Sequence, residues 1–288
     1  MSRSIHSLPL KRTVISGNLE FHFVEDGSGS PLVLLHGVLG DWRNWEGLWP
    51  AFTNDFRTIA YSRRFNWPNQ NPPDSPNHSA LIEAEDLAEL LEEWAAHPAI
   101  LVGSSYGAYT ALALSVQRPD LVRAMVLTEP PMLSWANLTE EGKKIRNEFE
   151  KKIRQPSVEA FQRGRNEEAV RLLTGGIVGA SVMQNLPKEL MLRRHQNMQS
   201  IRMLTLSTNE FPFLSPESVA NIRVPTLLLA GEKTPAIHDC VFKSLCDAMP
   251  QATSARIANA GHAVDRDNPQ AFLKEVHDFF QRHQFLSR

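Results

Sequence analysis

Short runs of consecutive apolar residues are spaced along the chain, and most of them end at a glycine or a polar residue. Runs of this kind are typical of strands that are buried on both faces of a parallel sheet. Two further segments on either side of Gly17-Asn18 predict an antiparallel hairpin near the N-terminus. The predicted strands cover residues 13–16, 19–25, 31–36, 58–61, 99–103, 124–127, 226–230 and 254–257, the last with the weakest pattern.

Helical periodicity lies between these strands. The spacing i, i+3, i+4, i+7 of Leu87, Leu90, Leu91 and Trp94 predicts an amphipathic helix, for which Ser79 is a candidate N-cap. Two more helices are predicted, one over residues 106–117 and one that begins at Pro269 and carries the apolar stripe Phe272, Val276, Phe279 and Phe280. Because strands alternate with helices, the predicted fold is a mostly parallel, doubly wound α/β sheet with right-handed crossovers.

One long stretch breaks the alternation. Residues 132–218 have helical character and no convincing buried strand, with helices predicted at 138–154, 158–163, 167–174 and 186–203. This stretch is interpreted as a helical insertion between two strands of the sheet. The predicted organisation is therefore a core formed by residues 1–131 and 219–288, interrupted by an inserted helical domain at 132–218.

Composition narrows the classes of function. The 288 residues carry 30 Lys and Arg against 32 Asp and Glu, a formal net charge of −2, which argues against a dedicated nucleic-acid binder. There is no run of 18 apolar residues for a membrane span, and residues 1–12 lack the apolar stretch of a secretory signal. Cys240 and Cys246 match no zinc spacing and cannot staple a chain of this size, so a reducing cytoplasm is the expected location.

Cofactor motifs were sought and not found. The sequence has no P-loop, no G-x-G-x-x-G after a strand and no H-E-x-x-H motif. We therefore expect neither a nucleotide nor a metal, no cofactor, and a small molecule as the partner.

The pattern G-x-S-x-G occurs at Gly103-Ser104-Ser105-Tyr106-Gly107, between a predicted buried strand and a predicted helix. This is the context in which a serine sits on a strained turn with its hydroxyl exposed above the sheet. Small residues two positions before and after the serine let strand and helix pack closely. Ser105 is therefore the candidate nucleophile, and the alternative is a glycine-rich turn with an incidental serine.

With this motif, the chain resembles an α/β-hydrolase with an inserted cap over essentially its full length. His36-Gly37, directly after a predicted strand, resembles the oxyanion loop of that family. The resemblance implies an oxyanion hole formed by the backbone amides of Val38 and Tyr106. The side chain of His36 is expected only to support this loop.

The general base is implied by the same resemblance. Ala260-Gly261-His262-Ala263 follows the last predicted strand and is similar to the family's histidine loop. His262 would accept the proton of Ser105 on one ring nitrogen while a carboxylate orients the other. The chain has ten histidines, so the position of His262 in this loop, rather than its residue type, carries the inference.

The third catalytic residue, the acid that orients the histidine, departs from the common pattern of the family. Most family members carry an aspartate after the seventh strand, where this chain has Thr234. Certain haloalkane dehalogenases and zearalenone lactonase-like enzymes instead carry the acid after the sixth strand, and the latter also resemble this chain in the Thr-Pro of the seventh-strand loop. By this resemblance Glu129 is the preferred acid, with Glu232 and then Asp239 as alternatives.

Residues 61–69 depart from the family's usual Asp-x-Arg-Gly turn. Arg64 and Trp67 are candidate substrate-binding residues, because aromatic rings beside arginines can grip an aromatic or anionic group. A structural loop with a stacked arginine is the alternative. Trp42 and Trp45, just beyond the predicted oxyanion loop, are candidate pocket walls, although core packing explains Trp45 equally well. Residues 132–215 carry 13 Lys and Arg, 9 Glu and no Asp, and this excess of positive charge favours acidic substrates or simply marks a solvated surface.

The sequence as a whole predicts a cofactor-free serine hydrolase that cleaves a carboxylic ester or lactone. Ser105 disfavours epoxide hydrolysis and dehalogenation, which need an aspartate nucleophile in this family. Cleavage of an amide or of a C–C bond stays open. A small-molecule binding protein or receptor on a degenerate hydrolase scaffold is the alternative, and the missing aspartate is its support.

Overall fold

One sheet organises the molecule. The structure is a computed structural model that describes residues 3–73 and 76–286. Residues 1, 2, 287 and 288, at the two ends of the predicted core, lie outside the described residues. The described strands are β1 (Lys11–Ile15), β2 (Leu19–Asp26), β3 (Pro31–Leu35), β4 (Arg57–Tyr61), β5 (Ala99–Ser104), β6 (Val122–Thr128), β7 (Thr226–Gly231) and β8 (Thr253–Ile257).

The strands form a single sheet in the order β1-β2-β4-β3-β5-β6-β7-β8. β2 runs antiparallel to both β1 and β4, and all the other neighbours are parallel. The predicted hairpin turn lies between β1 and β2, where Gly17 and Asn18 have φ of 72° and 58°. Both values lie in the left-handed region that glycine and asparagine tolerate. The predicted mostly parallel α/β sheet is confirmed.

Helices cover both faces of this sheet. They are α1 (Trp49–Thr53), α2 (Ala80–Glu93), α3 (Tyr106–Gln117), α4 (Glu140–Phe149), α5 (Gln155–Gln162), α6 (Asn166–Val178), α7 (Ala180–Gln184), α8 (Lys188–Gln196), α9 (Met198–Leu206), α10 (Pro216–Ala220), α11 (Ala236–Ala248), α12 (Val264–Asp267) and α13 (Pro269–Arg282). Successive side chains of a strand point to opposite faces, so Leu101 packs in one buried cluster while Ile100 and Val102 pack in the other. None of the helices among the described residues is long and apolar enough to cross a membrane.

The chain between β6 and β7 is helical from α4 to α10, in the range predicted for the insertion. It has a small apolar core of its own, in which Phe161, Val170 and Ile201 are fully buried. Its helix boundaries differ from the predicted ones in several places, among them the end of α6 at Val178 where residue 174 was predicted, and two of the differences have a clear physical cause.

The first difference is at residues 150–162, where the chain stays helical through Pro156. A wider turn over Glu150–Arg154 precedes α5 and accommodates the missing proline N–H. The second is at Asn197, which divides the predicted helix 186–203 into α8 and α9. The Asn197 side chain accepts a hydrogen bond from the Trp67 amide over 2.8 Å and donates one to Asp41 over 2.8 Å. The break therefore ties the insertion to the core.

Candidate active site

Ser105 occupies a sharp turn between β5 and α3. Its φ of 51° and ψ of −114° are strained for a residue with a side chain. The turn is held from both sides, because the Ser105 amide donates to the carbonyl of Thr128 over 2.8 Å and its carbonyl accepts from the amide of Tyr109 over 3.0 Å. The serine is buried at the junction of two cavities, described below.

Two glycines make this turn sterically possible. A Cβ added to Gly103 would lie 2.7 Å from the backbone of Ala108, and one added to Gly107 would lie 2.2 Å from the carbonyl oxygen of Leu35. Both distances are shorter than real Cβ atoms tolerate. The G-x-S-x-G spacing thus follows from close packing of α3 against β3 and β5.

Val38 and Tyr106, whose backbone amides are the candidate oxyanion donors, border the same cavity as Ser105. Neither is a donor in the hydrogen bonds that the described residues make with one another. Tyr106 is the first residue of α3, where backbone N–H groups have no partner within the helix. Two backbone donors are therefore available beside the serine, as an oxyanion hole requires.

The side chain of His36 supports the loop that carries Val38. Its Nδ1 lies 2.8 Å from the carbonyl oxygen of Gly37, and its Nε2 accepts a hydrogen bond from the Arg63 amide over 3.1 Å. Burial, together with the Arg63 charge, lowers the pKa of His36 to about 3. The ring is therefore neutral, which is the form that can accept at Nε2.

A buried ion pair supports Tyr106, and the sequence did not reveal it. The Arg63 guanidinium stacks 4.1 Å from the centre of the Tyr106 ring, and its Nη1 donates to both carboxylate oxygens of Glu83 at 2.8 and 2.9 Å. His78 Nε2 lies 2.8 Å from the same carboxylate. Burial raises the pKa of Glu83 and the Arg63 charge lowers it, with a net value of about 2, so the carboxylate is ionised.

Glu129 and His262 meet at the carboxyl end of the sheet. Oε2 of Glu129 lies 2.5 Å from Nδ1 of His262, and both side chains are buried. Glu129 directly follows β6 and has a φ of 44°, with its amide donating to the carbonyl of Leu229 over 3.1 Å. Nε2 of His262 is buried and has no hydrogen-bond partner among the described residues. The histidine thus has one nitrogen held by a carboxylate and the other without a partner, and His262 borders the same cavity as Ser105.

Thr234 contacts the same carboxylate. Its hydroxyl donates to Oε2 of Glu129 over 2.7 Å, and the Gly231 amide donates to Oε1 over 2.9 Å. Thr234, at the position where most family members have the aspartate, therefore acts as a donor to the glutamate. Each Glu129 oxygen accepts at least one hydrogen bond, which satisfies a buried carboxylate.

The two alternative acids lie elsewhere. Glu232 accepts a hydrogen bond from the amide of Asn259 over 3.2 Å, at an exposed position. Asp239 forms ion pairs with Arg256 at 2.6 Å and Lys243 at 2.8 Å. Neither has a recorded contact with His262 among the described residues.

A second histidine stacks on His262. The ring centres of His238 and His262 are 3.9 Å apart, and the ring planes differ by 22°. Burial and the neighbouring His262 lower the pKa of His238 well below its usual value, so this ring is neutral. His238 lies on α11, and no motif of the sequence pointed to it.

The potential ligand atoms of Glu129, His238 and His262 lie within 4.8 Å of one another. Ligand atoms about 2.0–2.1 Å from a shared zinc ion are separated from each other by roughly 3.3 Å in tetrahedral geometry. The 2.5 Å between Glu129 and His262 is instead the length of a short charge-assisted hydrogen bond. The described geometry is that of a hydrogen-bonded pair rather than of a metal site.

Two cavities meet at Ser105. The first, here called the His262 cavity, has a volume of about 250 Å³ and is bordered by Trp45, Ser105, Arg194, His262, Asp265 and Arg266 among others. The second, here called the Tyr106 cavity, has a volume of about 320 Å³ and is bordered by Ser105, Tyr106, Arg146, Arg154, Glu210 and Phe213 among others. The helical insertion contributes walls to both cavities.

The residues predicted to bind substrate lie outside these cavities. Arg64 is buried and pairs with Asp86 at 2.6 Å. Trp42 and Trp67 border a separate surface groove, and the Arg43 guanidinium stacks 3.9 Å from the centre of the Trp67 ring. The geometry thus agrees with the alternative that residues 61–69 form a structural loop. The buried polar side chains of such a loop need hydrogen-bond partners within the core. Trp45, three residues after Trp42, borders the His262 cavity instead.

Residues 30–267 match the family model for the alpha/beta hydrolase fold. The chain therefore belongs to this family, and it is a hydrolase of the α/β fold, which confirms the resemblance found in the sequence. An sn-1-specific diacylglycerol lipase of Mus musculus is 26% identical over 96% of this chain and 86% of its own. Epoxide hydrolase 3 of Xenopus tropicalis is 26% identical over 94% of this chain and 77% of its own.

Two solved structures share the fold over almost the whole chain. Est816, an N-acyl homoserine lactone degrading enzyme, superposes with a TM-score of 0.74 at 20% identity, and the match covers 94% of this chain and 100% of its own. The enol-lactonase from Burkholderia xenovorans LB400 has a TM-score of 0.71 at 20% identity, over 94% of this chain and 100% of its own. At such identities the likeness concerns the fold.

Proposed function

We propose that the protein is a cofactor-free serine hydrolase that cleaves a carboxylic ester or a lactone. The observation that carries the proposal is the Glu129–His262 hydrogen bond of 2.5 Å, which leaves Nε2 of His262 without a partner in a residue that borders the same cavity as Ser105. A nucleophile, a base and an orienting acid in this relation are the requirements of acyl transfer through a covalent intermediate.

In the proposed reaction, Nε2 of His262 takes the proton of Ser105 while Oγ attacks the substrate carbonyl. The amides of Val38 and Tyr106 donate to the oxygen on which negative charge develops, an interaction that contributes typically a few kcal/mol per donor. His262 then gives its proton to the leaving oxygen, and an acyl group remains on Ser105. A water molecule, activated by the same histidine, releases the acid and restores the serine.

Glu129 is proposed to hold His262 with its proton on Nδ1. In this tautomer Nε2 is the acceptor, and the carboxylate stabilises the imidazolium that forms during the reaction. The donors from Thr234 and Gly231 keep the carboxylate in place. Residues 132–218 are proposed to act as a cap whose side chains select the substrate, since they border both cavities at Ser105.

Two other functions receive less support. Epoxide hydrolysis, the reaction of some of the relatives, needs an aspartate nucleophile in this family. This chain has Ser105 at the nucleophile position. The binding-protein alternative depended on the missing aspartate after β7, and the carboxylate of Glu129 removes that argument. Amide and C–C bond cleavage use the same groups and are separated from ester cleavage by substrate tests.

The test compares two adjacent serines. Wild type is expected to hydrolyse 4-nitrophenyl butyrate and to react covalently with a fluorophosphonate probe, whereas Ser105→Ala should lose both properties with its fold intact by circular dichroism. Ser104→Ala is the matched control, because Ser104 borders the same cavity from the end of β5 and has no role in the proposed reaction. Turnover near the wild-type rate in folded Ser105→Ala would refute the assignment.

A further inference from the structure

Arg194 is a buried cation without an ionic partner. Its side chain lies on α8, borders the His262 cavity and belongs to a residue that is only 3% exposed. Its Nε has no hydrogen-bond partner among the described residues, and its one recorded side-chain contact is from Nη1 to the sulfur of Met191 at 3.6 Å. No carboxylate of the described residues lies within ion-pair distance of it.

Its neighbour Arg193 provides a contrast. Arg193 is similarly buried, but it forms ion pairs with Glu46 at 3.0 Å and Glu189 at 3.1 Å and donates to the carbonyl of Arg43. Two consecutive arginines thus have opposite surroundings. One is satisfied within the protein, while the other borders the cavity without an ion pair from the described residues.

A buried charge without a partner is costly, so proteins almost always pair or neutralise such groups. Burial and the nearby Arg266 lower the pKa of Arg194 to about 10, and the guanidinium still carries its charge at neutral pH. A cost of this kind is retained where a ligand supplies the missing partner. Arg194 borders the same cavity as Ser105 and His262, and this position indicates where that ligand lies.

Five arginine, glutamate and aspartate residues border this cavity. Arg193, Arg194 and Arg266 stand against Glu46 and Asp265. Glu46 is engaged by Arg193 and His6. Arg193 pairs with Glu46 and Glu189, and Arg266 lies 3.9 Å from Asp267. Arg194 is therefore the arginine of this cavity for which the described residues provide no ion pair.

The position of His262 indicates which part of the substrate carries this charge. In the proposed reaction His262 protonates the leaving oxygen, so the leaving group must lie on the side of the histidine. His262 borders the cavity that contains Arg194, whereas Tyr106 and its oxyanion amide border the other. The leaving group is thus expected in the His262 cavity and the acyl group in the Tyr106 cavity.

We propose that Arg194 binds a carboxylate on the leaving-group side of the substrate, so that the preferred substrates are esters or lactones of a hydroxy acid. This inference rests on the proposed function. The planar guanidinium matches a carboxylate with two parallel hydrogen bonds. A volume of about 250 Å³ lies below the usual range for drug-sized ligands, which fits a small hydroxy acid.

The test uses three related esters. Phenyl butyrate is uncharged, 4-carboxyphenyl butyrate carries a carboxylate on the leaving group, and phenyl hydrogen glutarate carries one on the acyl group. Arg194→Gln is expected to lower the ratio of kcat/KM for 4-carboxyphenyl butyrate to that for phenyl butyrate by at least about tenfold, as loss of a charged hydrogen bond predicts. The ratio for phenyl hydrogen glutarate should fall less. Arg202→Gln, which removes an equal charge at an exposed position on α9, should change neither ratio.

Several results would overturn the proposal. These are an unchanged ratio in Arg194→Gln, an equal fall for both charged esters, or an equal fall in Arg202→Gln. Because Arg194 has no ion pair to lose among the described residues, Arg194→Gln should melt no lower than wild type. A lower melting temperature would assign Arg194 a structural role instead.

Failure of the proposed function itself gives a different result. If wild type hydrolyses none of the three esters, calorimetric binding of 4-hydroxybenzoate to wild type and to Arg194→Gln tests the anion site alone. Binding that is at least about tenfold weaker in the variant supports the site without the reaction. Equal binding to wild type and variant, or no binding to wild type, overturns the anion site as well as the proposed function.

Discussion

The Thr234 hydroxyl donates to Oε2 of Glu129 over 2.7 Å, and this same oxygen lies 2.5 Å from Nδ1 of His262. The loop after β7 therefore contributes a donor at the place where most members of the family have the acid. The carboxylate itself comes from the end of the adjacent strand β6, and the longer side chain of glutamate spans the distance between the strands. The Thr234 hydroxyl thus holds, by one hydrogen bond, the carboxylate that contacts His262.

Removal of the Glu129 charge tests its proposed role. Glu129→Gln should lower kcat by up to about 10⁴, as the corresponding change does in serine proteases, because an amide stabilises neither the correct tautomer nor the imidazolium. KM should change little. Steady-state kinetics with 4-nitrophenyl butyrate give both values.

The alternative acids serve as the controls for this experiment. Glu232→Gln and Asp239→Asn should retain kcat close to that of wild type, since these carboxylates contact Asn259, Arg256 and Lys243 rather than His262. If Glu129→Gln were active and a Glu232 or Asp239 variant inactive, the orienting acid would be that residue after β7 and not Glu129.

The Thr234 hydroxyl is expected to matter through Glu129. Thr234→Val keeps the shape of the side chain and removes the donor, so kcat should fall by about tenfold, the effect of one hydrogen bond to a charged group. Thr234→Ser keeps the hydroxyl and should stay near wild type. Equal activities of the Val and Ser variants would show that the hydroxyl does not position the carboxylate.

The packing of the serine turn predicts opposite effects for two glycines. Gly107→Ala forces a methyl group to 2.2 Å from the Leu35 carbonyl and should lower the free energy of unfolding by about 1–3 kcal/mol or prevent folding. Gly175→Ala in α6 meets only ordinary contacts at 3.9 Å and should raise it by about 0.5–1 kcal/mol. Urea denaturation measures both, and a harmless Gly107→Ala would contradict the described packing.

The buried histidines predict a loss of stability in acid. Burial lowers the pKa of His238, so below the ordinary histidine value the unfolded chain takes up a proton that the folded chain does not. The contribution of such a histidine to the free energy of unfolding is therefore fully present above about pH 6.5. As the pH decreases below this value, the free energy of unfolding decreases by up to about 1.4 kcal/mol per pH unit for one such group. His36, with a pKa lowered to about 3, acts in the same direction.

His238→Phe isolates one of these contributions. It keeps an aromatic ring against His262 and removes the titrating group, so the difference in unfolding free energy between pH 7.5 and pH 5.5 should be smaller than in wild type. Urea denaturation at the two values gives this difference. Parallel curves for wild type and variant would contradict the prediction.

The sequence predicted the parts of the fold and site that depend on local patterns. Strands buried on both faces read as apolar runs, and the G-x-S-x-G motif lies where one such run ends. Glu129 could be identified because Thr234 made the usual acid position unusable and the neighbouring strand ended in a carboxylate. In each case the physical requirement falls on residues that are close in the chain or placed by neighbouring strands.

Features that depend on distant contacts could not be read in this way. The Arg63–Glu83 pair joins residues 20 positions apart, and neither residue stands out from the other arginines and glutamates. The sequence predicted that the substrate contacts Arg64, Trp42 and Trp67. In the structure Arg64 instead pairs with Asp86, and Trp67 stacks against Arg43, outside the two cavities. The break at Asn197 follows from hydrogen bonds to the core, which helical periodicity does not reveal.

The order of the site residues along the chain has a consequence for dividing the protein. Ser105 and Glu129 both precede the helical insertion, whereas His262 follows it. A cut within the insertion would therefore give one fragment with the nucleophile and the acid and another with the histidine, and β6 and β7 would have to pair again to reunite them. The acid after β6 thus makes this chain suited to a two-fragment reporter, in which recovered ester cleavage signals that the two halves have met.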